Sequence, residues 1–276
     1  ALNIFLYSGF MGFVIAYLWT MMERGAQRFT PMAGFFAFIW RMALTTGTGS
    51  IFGFLVARQA FDSALLAPLF IALSLSYGLA VFLLVLMLAF QGSGRALDTA
   101  LLARFARLQV IFVAAGLYFV LVYHLTNLYF TKHHDFERFI LLEGGVHTAL
   151  FWLGQVLLGG IVPMALLLHP RIGELRGRIT AATLLVVGGG FAQMWVTIVS
   201  GQAFPLVMFP GRQVSSSFHD GVVNAYTPTL PEWLLGFGGV AIAGLIVMLA
   251  LKFLAFLPAH LDGAETARGR PAAAAA

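Results

Sequence analysis

Apolar residues occur along this chain in runs that are long enough to cross a lipid bilayer, and short polar segments separate them. One crossing takes roughly 20 helical residues, and the runs lack the two-residue alternation of membrane barrel strands. The pattern therefore predicts an all-α, polytopic bundle of transmembrane helices over residues 1–262, followed by a disordered tail over residues 263–276. The seven predicted helices cover residues 2–22, 33–57, 64–90, 108–130, 146–168, 179–203 and 233–257.

The polar connections between these helices predict the orientation of the chain. The segments 91–107 and 169–178 are basic, 131–144 is amphipathic with mixed charge, and 204–232 is a long neutral loop. With the N-terminus outside, most arginines fall in cytoplasmic segments, which favours a cytoplasmic C-terminus. The expected location is the bacterial inner (cytoplasmic) membrane. An odd number of helices that begins outside at Ala1 indicates that one or more N-terminal helices are missing. Removal of a leader peptide is the alternative.

Composition supports the membrane assignment and narrows the chemistry. Hydrophobic residues make up 60% of the chain and charged residues 10%, whereas a soluble domain carries about 25% charged residues. The absence of cysteine excludes thiolate zinc sites and cysteine-ligated iron–sulfur clusters in this chain, so any such cluster must belong to a partner. The net charge of +5 accompanies apolar helices and few acidic residues. It therefore indicates membrane orientation, and nucleic acid is not an expected partner.

The sixth predicted helix ends in a stretch rich in proline and aromatic residues. Pro205 and Pro210 cannot continue a helix, and the aromatic residues between them favour the edge of the membrane. Because the following loop is neutral and aromatic, unlike the basic loops, we expect it to dock a partner protein. The predicted docking residues are Phe204, Pro205, Phe209 and Pro210.

These features together resemble a known family. The stretch Gly201–Gly211, the segment Tyr226–Pro228, the helix start Pro231–Gly236, and the segment Trp152–Gln155 with Pro163 are similar to the NrfD/polysulfide reductase membrane-subunit family. The resemblance implies a haem-free helix bundle that binds quinone near the outer surface and meets a ferredoxin-like iron–sulfur subunit there. It also implies further redox subunits such as molybdopterin or cytochrome c proteins, and proton movement in some members. Menaquinone and ubiquinone both remain open as the quinone.

The histidines agree with a haem-free chain. A dihaem membrane protein needs pairs of axial histidines on its helices. Here His124 and His147 lie near the ends of different helices, and His169 lies at the other face. Haem ligation by this chain is therefore not expected.

Two pairs of polar residues predict a quinone site near the outer surface. His124 and Asn127 are three residues apart at the end of the fourth helix, and Glu143 and His147 are four apart at the start of the fifth. The first spacing places both side chains on one helical face, and the second does so if the fifth helix starts early enough. Histidine can donate a hydrogen bond to quinone and accept a proton from quinol. The alternative is that each histidine is an interfacial anchor bound to a backbone carbonyl.

A second polar set lies deeper in the predicted bundle. Arg41 falls inside the second helix and is followed by Thr45 and Thr48, while Gln155 and Gln193 lie in later helices. Because a charged residue within a membrane usually faces a cavity or a partner, these five residues predict a proton path. The alternative is that the polar side chains join helices to each other.

Three further expectations concern packing and function class. Gly188–Gly190 predicts a close helix contact, and Arg58 with Asp62 predicts a local ion pair. A transporter would show inverted repeats and charged residues at the midplane, and the chain shows no clear repeat. A structural anchor without a redox site remains open.

Overall fold

The computed structural model describes residues 2–94, 97–169, 175–206 and 221–253. Within these ranges the secondary structure is helical and contains no strand, so the all-α prediction is confirmed. The helices named below are α1 (Leu2–Met22), α2 (Thr30–Gly53), α3 (Leu66–Gly92), α4 (Thr99–Tyr129), α5 (His134–Arg138), α6 (Val146–Leu168), α7 (Leu175–Ala203) and α8 (Leu230–Phe253).

Six helices of the described chain are long and apolar enough to cross a membrane. They are α1, α3, α4, α6, α7 and α8, and together they establish a multi-pass membrane protein. Helix α2 has 24 residues, but Arg41 and the Thr/Gly/Ser residues that follow it lower its mean hydropathy. The described ranges thus contain seven long helices. Six of them are identified as membrane spans by their length and apolar composition alone.

The predicted basic loop at 91–107 is wrong over most of its length, because α4 begins at Thr99. The carboxylate of Asp98 accepts a hydrogen bond from the backbone N–H of Ala100 at 2.9 Å, which satisfies one free donor of the first turn. Leu102 and Ala106 are then buried in the bundle, while the arginines of this turn lie on its other faces. The connection between α3 and α4 is therefore short.

Helices α3, α4, α6 and α7 form the core of the bundle, and α6 and α7 touch through glycine. A Cβ atom added at Gly189 would overlap the Cα of Gly159, and one added at Gly154 would overlap the side chain of Ala192. The close contact expected at Gly188–Gly190 is thus confirmed at its central residue. Small residues let two helix backbones approach within the membrane, where dispersion contacts stabilise the pair.

Helices α1 and α8 lie at the periphery. The Nε1–H of Trp40 on α2 donates to the carbonyl oxygen of Leu6 on α1 at 2.8 Å, but few side chains of α1 are buried. No residue of α8 is buried among the described residues. These two helices therefore present apolar surface to lipid or to other chains.

Three helical segments depart from α geometry at one end of the bundle, and one of them continues toward its middle. The residues Phe139–Glu143 after α5, Leu150–Ile161 in α6 and Trp195–Ser200 in α7 are π-helical. Such wider turns are rare and often occur at functional sites, because they redirect side chains. We call this end the site end and define it by the connection 54–65, α5 and the segment 221–229.

Candidate functional site

A buried carboxylate lies at the centre of the site end. Glu137 is completely buried, and its Oε2 lies 2.7 Å from Nδ1 of His124. Its Oε1 accepts a hydrogen bond from Nδ2 of Asn127 at 2.8 Å. Both carboxylate oxygens therefore have a partner, as a buried charge requires.

The amphipathic character of α5 explains why Glu137 is buried. Phe136 and Ile140 pack into the aromatic core beside it, and Nδ1 of His133 binds the carbonyl oxygen of Gln59 at 2.6 Å. The hydroxyl of Tyr123 donates to another carbonyl of the 54–65 connection. The connection between α2 and α3 thus binds residues of α4 and of the turn before α5 at the site end of the core.

Two small cavities continue from this cluster into the bundle. The first has a volume of about 20 Å³ and is lined in part by His124, Gln155, Gln193 and Thr197. The second, also about 20 Å³, is lined by the same two glutamines and by Ser76. The Oε1 atoms of Gln155 and Gln193 are buried and have no hydrogen-bond partner among the described residues. Each cavity is large enough for about one water molecule.

A much larger groove of about 720 Å³ opens at the surface of the site end. His147 lines it and is fixed by a 2.6 Å hydrogen bond between its Nδ1 and Oγ of Ser200. The rings of Phe139 and Phe204 also line the groove, with the Phe139 centroid 5.3 Å from that of His147. Asn224 forms part of the facing wall, where its backbone N–H donates to the carbonyl of Ala203 at 3.0 Å. The groove combines apolar ring faces with polar groups, as small-molecule sites do, and the charged residues Asp135, Arg138 and Glu143 also line it.

The four residues of the predicted quinone site lie at the same end but in two groups. His124 and Asn127 meet at Glu137 inside the core, whereas Glu143 and His147 line the groove. The groups are separated by Phe139 and Phe151, which contact His147 and His124 respectively. Glu143 is exposed and binds Arg138 at 2.6 Å. The prediction that one quinone touches all four residues stays a prediction, and the structure divides the set.

Glu137 is the central residue that the sequence pattern did not single out. It lies in the mixed-charge segment 131–144, where a carboxylate is normally solvated. One signal was present in the sequence. His133, Glu137 and Ile140 follow a spacing of four and three, which places the carboxylate on the same helical face as two residues that prove to be buried.

The predicted docking residues are only partly described. Phe204 points inward, with its ring 5.6 Å from Phe136 and 5.4 Å from Phe139. Pro205 is partly buried beside it, and Phe209 and Pro210 lie outside the described residues. The role of this loop in docking stays a prediction, but Phe204 belongs to the groove.

The predicted ion pair between Arg58 and Asp62 is wrong. Nη1 of Arg58 instead donates to the carbonyl oxygens of Gln202 at 2.9 Å and Phe204 at 3.3 Å. Asp62 binds Lys132 at 3.0 Å. Arg58 thus holds the end of α7, where the carbonyl groups have no partner within the helix.

The five residues of the predicted proton path also separate. The side chain of Arg41 is exposed and lies over the ring of Phe10, 5.4 Å from its centroid. Thr45 and Thr48 donate to carbonyls of their own helix at 3.0 Å. Gln155 and Gln193 lie together at the two cavities, away from α2. The structure joins the two glutamines to the Glu137 cluster, and it leaves Arg41 on another surface.

Comparisons with known proteins place these features in context. The family described as polysulphide reductase, NrfD, matches residues 1–206. The Hdr-like menaquinol oxidoreductase integral membrane subunit of Archaeoglobus fulgidus is 31% identical over 259 residues, which cover 93% of this chain and 65% of that protein. A putative dimethyl sulfoxide reductase membrane subunit of Halobacterium salinarum is 30% identical over 239 residues, covering 83% of this chain and 54% of the relative.

A selenate reductase subunit of Mesobacillus selenatarsenatis is 26% identical over 204 residues, or 74% of this chain and 45% of the relative. The chain therefore spans between about half and two thirds of the length of these relatives. No solved structure matches it.

Proposed function

Because the chain belongs to the NrfD polysulphide reductase family, we propose that it is a membrane subunit of an oxidoreductase complex. In this role it passes electrons between membrane quinone and an iron–sulfur partner. Each of the three relatives is named as a subunit of an oxidoreductase or reductase. The name of the Archaeoglobus relative includes menaquinol, which favours a naphthoquinone as the substrate.

The observation that carries this proposal is the groove at the site end. Its volume of about 720 Å³ lies within the range of small-ligand sites. Ser200 holds Nδ1 of His147, so Nε2 is the nitrogen left to bind a quinone oxygen. The rings of Phe139 and Phe204 supply apolar surface against which a flat quinone ring can pack.

The proposed redox step needs one acceptor for protons and another for electrons. Oxidation of one quinol releases two electrons and two protons. Nε2 of His147 is placed to accept one of these protons, and the second passes to water in the groove. The chain has no cysteine to hold an iron–sulfur cluster, so the electrons pass to a cluster on the partner. The partner would cover the mouth of the groove.

The distribution of cations supports an outward-facing groove. At the site end, the described cations are Arg58, Lys132 and Arg138. The opposite end carries a larger set of arginines: Arg24, Arg28, Arg104, Arg107, Arg176 and Arg178. Arginine and lysine favour the cytoplasmic side of membrane proteins. We therefore place the site end, and the partner, on the outer side of the cytoplasmic membrane.

The test is to measure binding and oxidation of 2,3-dimethyl-1,4-naphthoquinol by the purified complex. His147→Asn should weaken binding by about two- to tenfold, because a hydrogen bond is worth about 0.5–1.5 kcal/mol. Ala225→Trp should block the groove without removing that bond, since Ala225 lines its wall. Both variants should assemble normally.

The matched control is His134→Asn. His134 lies at the same end, is exposed, and binds the carbonyl oxygen of Leu128 at 2.6 Å, but it does not line the groove. It should bind the quinol as the unmodified complex does. Unchanged binding in both His147→Asn and Ala225→Trp would refute the assignment of the groove.

A further inference from the structure

The buried Glu137 cluster has no role in the quinone chemistry proposed above. Its carboxylate receives the Nδ2–H of Asn127 at one oxygen and faces Nδ1 of His124 at the other. Tyr123 and Phe136 pack around it. Burial of an ionisable group costs free energy when the chain folds, so a buried glutamate is expected to have a specific role.

The short contact requires one proton between the two residues. Nδ2 of Asn127 donates to Oε1 of Glu137, and the 2.7 Å contact between Oε2 and Nδ1 of His124 holds a shared proton. We take this proton on Nδ1. A second proton at Nε2 then makes the imidazole a cation, whose charge balances that of the carboxylate. Tyr123 of α4 is the titratable group whose ring contacts His124, and His133, just before α5, is buried at the same end. Helices α6 and α7 present glutamine and threonine there, with His147 beyond Phe139.

The adjoining cavity provides a route for that second proton. His124 lines it, together with Gln155 and Gln193. The two unpartnered Oε1 atoms of these glutamines need donors, and one water molecule has two. The cavity volume of about 20 Å³ exceeds the roughly 10–15 Å³ that a water requires.

We propose that Glu137 and His124 form a proton-storage site inside the membrane subunit, and that a bound water connects it to Gln155 and Gln193. The proton leaves Nε2 of His124 for the water, while Nδ1–H stays on the Glu137 carboxylate. The reverse transfer reloads the imidazole, and no electron moves in either direction. The second cavity, lined by the two glutamines and Ser76, extends this route toward the middle of the bundle.

The test uses infrared difference spectroscopy on the complex in membranes. His124→Asn removes the basic partner, so the enclosed carboxylate of Glu137 should become protonated. A C=O stretching band of a protonated carboxylic acid should then appear, shift in D₂O, and vanish in the double variant His124→Asn/Glu137→Gln. If His124→Asn does not assemble, His124→Gln keeps an amide of greater length and serves for the same measurement.

The matched control is His133→Asn. His133 is buried at the same end, but its Nδ1 binds a backbone carbonyl instead of a carboxylate. This variant should show no new band. Absence of a D₂O-sensitive band in an assembled His124 variant would overturn the storage site.

The water link has its own measurement. In the His124 variant, replacement of both Gln155 and Gln193 by methionine should remove the acceptors that hold the water. Hydrogen–deuterium exchange at the Glu137 band should then slow by roughly tenfold or more. An unchanged exchange rate would contradict the link. These readouts do not require quinone, so they can fail or succeed separately from the groove assignment.

Discussion

The two ends of the bundle are built in different ways. At the end opposite the site, α3, α4 and α7 enclose a cluster of apolar side chains: Leu83, Phe90, Leu97, Leu102, Ala106 and Ile179. At the site end, the buried side chains include Glu137, His124, Asn127 and His133, and the helices contain π-helical segments. Apolar contacts have no required direction, whereas a buried polar group requires a hydrogen-bond partner in the right position.

This difference indicates where the chain carries its chemistry. The apolar end stabilises the bundle through burial and dispersion, which need no specific direction. The site end keeps polar groups that are costly to enclose, and it keeps cavities that close packing would fill. Proteins retain such features mainly where protons, ligands or charges must move. Substitutions at the glycine contact in the middle of the bundle, at the apolar end and at the site end test this comparison in turn.

The largest effect is expected at the glycine contact between the two ends. Gly189→Leu would force the α6 and α7 backbones apart, because even a Cβ there overlaps Gly159. We expect a loss of stability above about 3 kcal/mol and little assembled protein. Size-exclusion chromatography and thermal unfolding of the solubilised complex measure this.

The neighbouring glycine offers a matched control. A Cβ at Gly188 would meet nothing within 4 Å, so Gly188→Leu should assemble nearly as the unmodified chain does. Equal tolerance of both substitutions would show that the two ends do not depend on this contact.

A smaller effect is expected from the apolar end. Leu102 is completely buried, and Leu102→Ala should lower stability by about 2–5 kcal/mol through lost contacts and a new cavity. Binding of 2,3-dimethyl-1,4-naphthoquinol should remain unchanged in the protein that assembles. Thermal unfolding and quinol titration distinguish the two outcomes.

Ile111→Ala is the control for Leu102→Ala, since Ile111 is on the same helix but exposed. It should change the unfolding temperature much less. If Leu102→Ala weakened quinol binding as strongly as His147→Asn, the separation between a structural end and a chemical end would be wrong.

The apolar pattern of the sequence predicts the helices well and the site only in part. The spans 2–22 and 146–168 match α1 and α6 residue for residue, because lipid solvation requires long uninterrupted apolar runs. The predicted start of α4 is wrong, since its first turns carry arginines on their outer faces. Asp98 is the capping signal that marks this start.

The site depends on information that hydrophobic periodicity does not contain. A regular 3.6-residue period would place His147 near Glu143 on one helix, but the helix of His147 starts only at Val146. The period also cannot anticipate the π-helical segment 139–143 before His147 or the segment 150–161 after it. Glu137 escapes prediction because a carboxylate in a mixed-charge segment is usually solvated. Its burial depends on His124 and Asn127 from another helix, and such a contact exists only after the chain folds.

The smallest expected effect sharpens the role of the connection 54–65. Arg58 donates to the carbonyls of Gln202 and Phe204, and Phe204 lines the groove. Arg58→Lys retains the charge, but the lysine side chain is shorter and its nitrogen does not reach the position of Nη1, so at least one of these bonds should be lost. Loss of one hydrogen bond that holds Phe204 at the groove, worth about 1 kcal/mol, should raise KM for the quinol by about fivefold. Because Arg58 does not line the groove, kcat should stay the same.

The control for Arg58→Lys lies against the same connection. Lys132 binds Asp62 at 3.0 Å in a largely exposed ion pair, and such pairs contribute little to stability or shape. Lys132→Met should therefore leave KM unchanged. The measurement is steady-state quinol oxidation by both variants. If Arg58 fixes the groove through Phe204, only the Arg58→Lys variant should raise KM. Equal KM values in the two variants would mean that Phe204 is held by its contacts with Phe136 and Phe139, and that the connection 54–65 serves only to anchor α4 and α5.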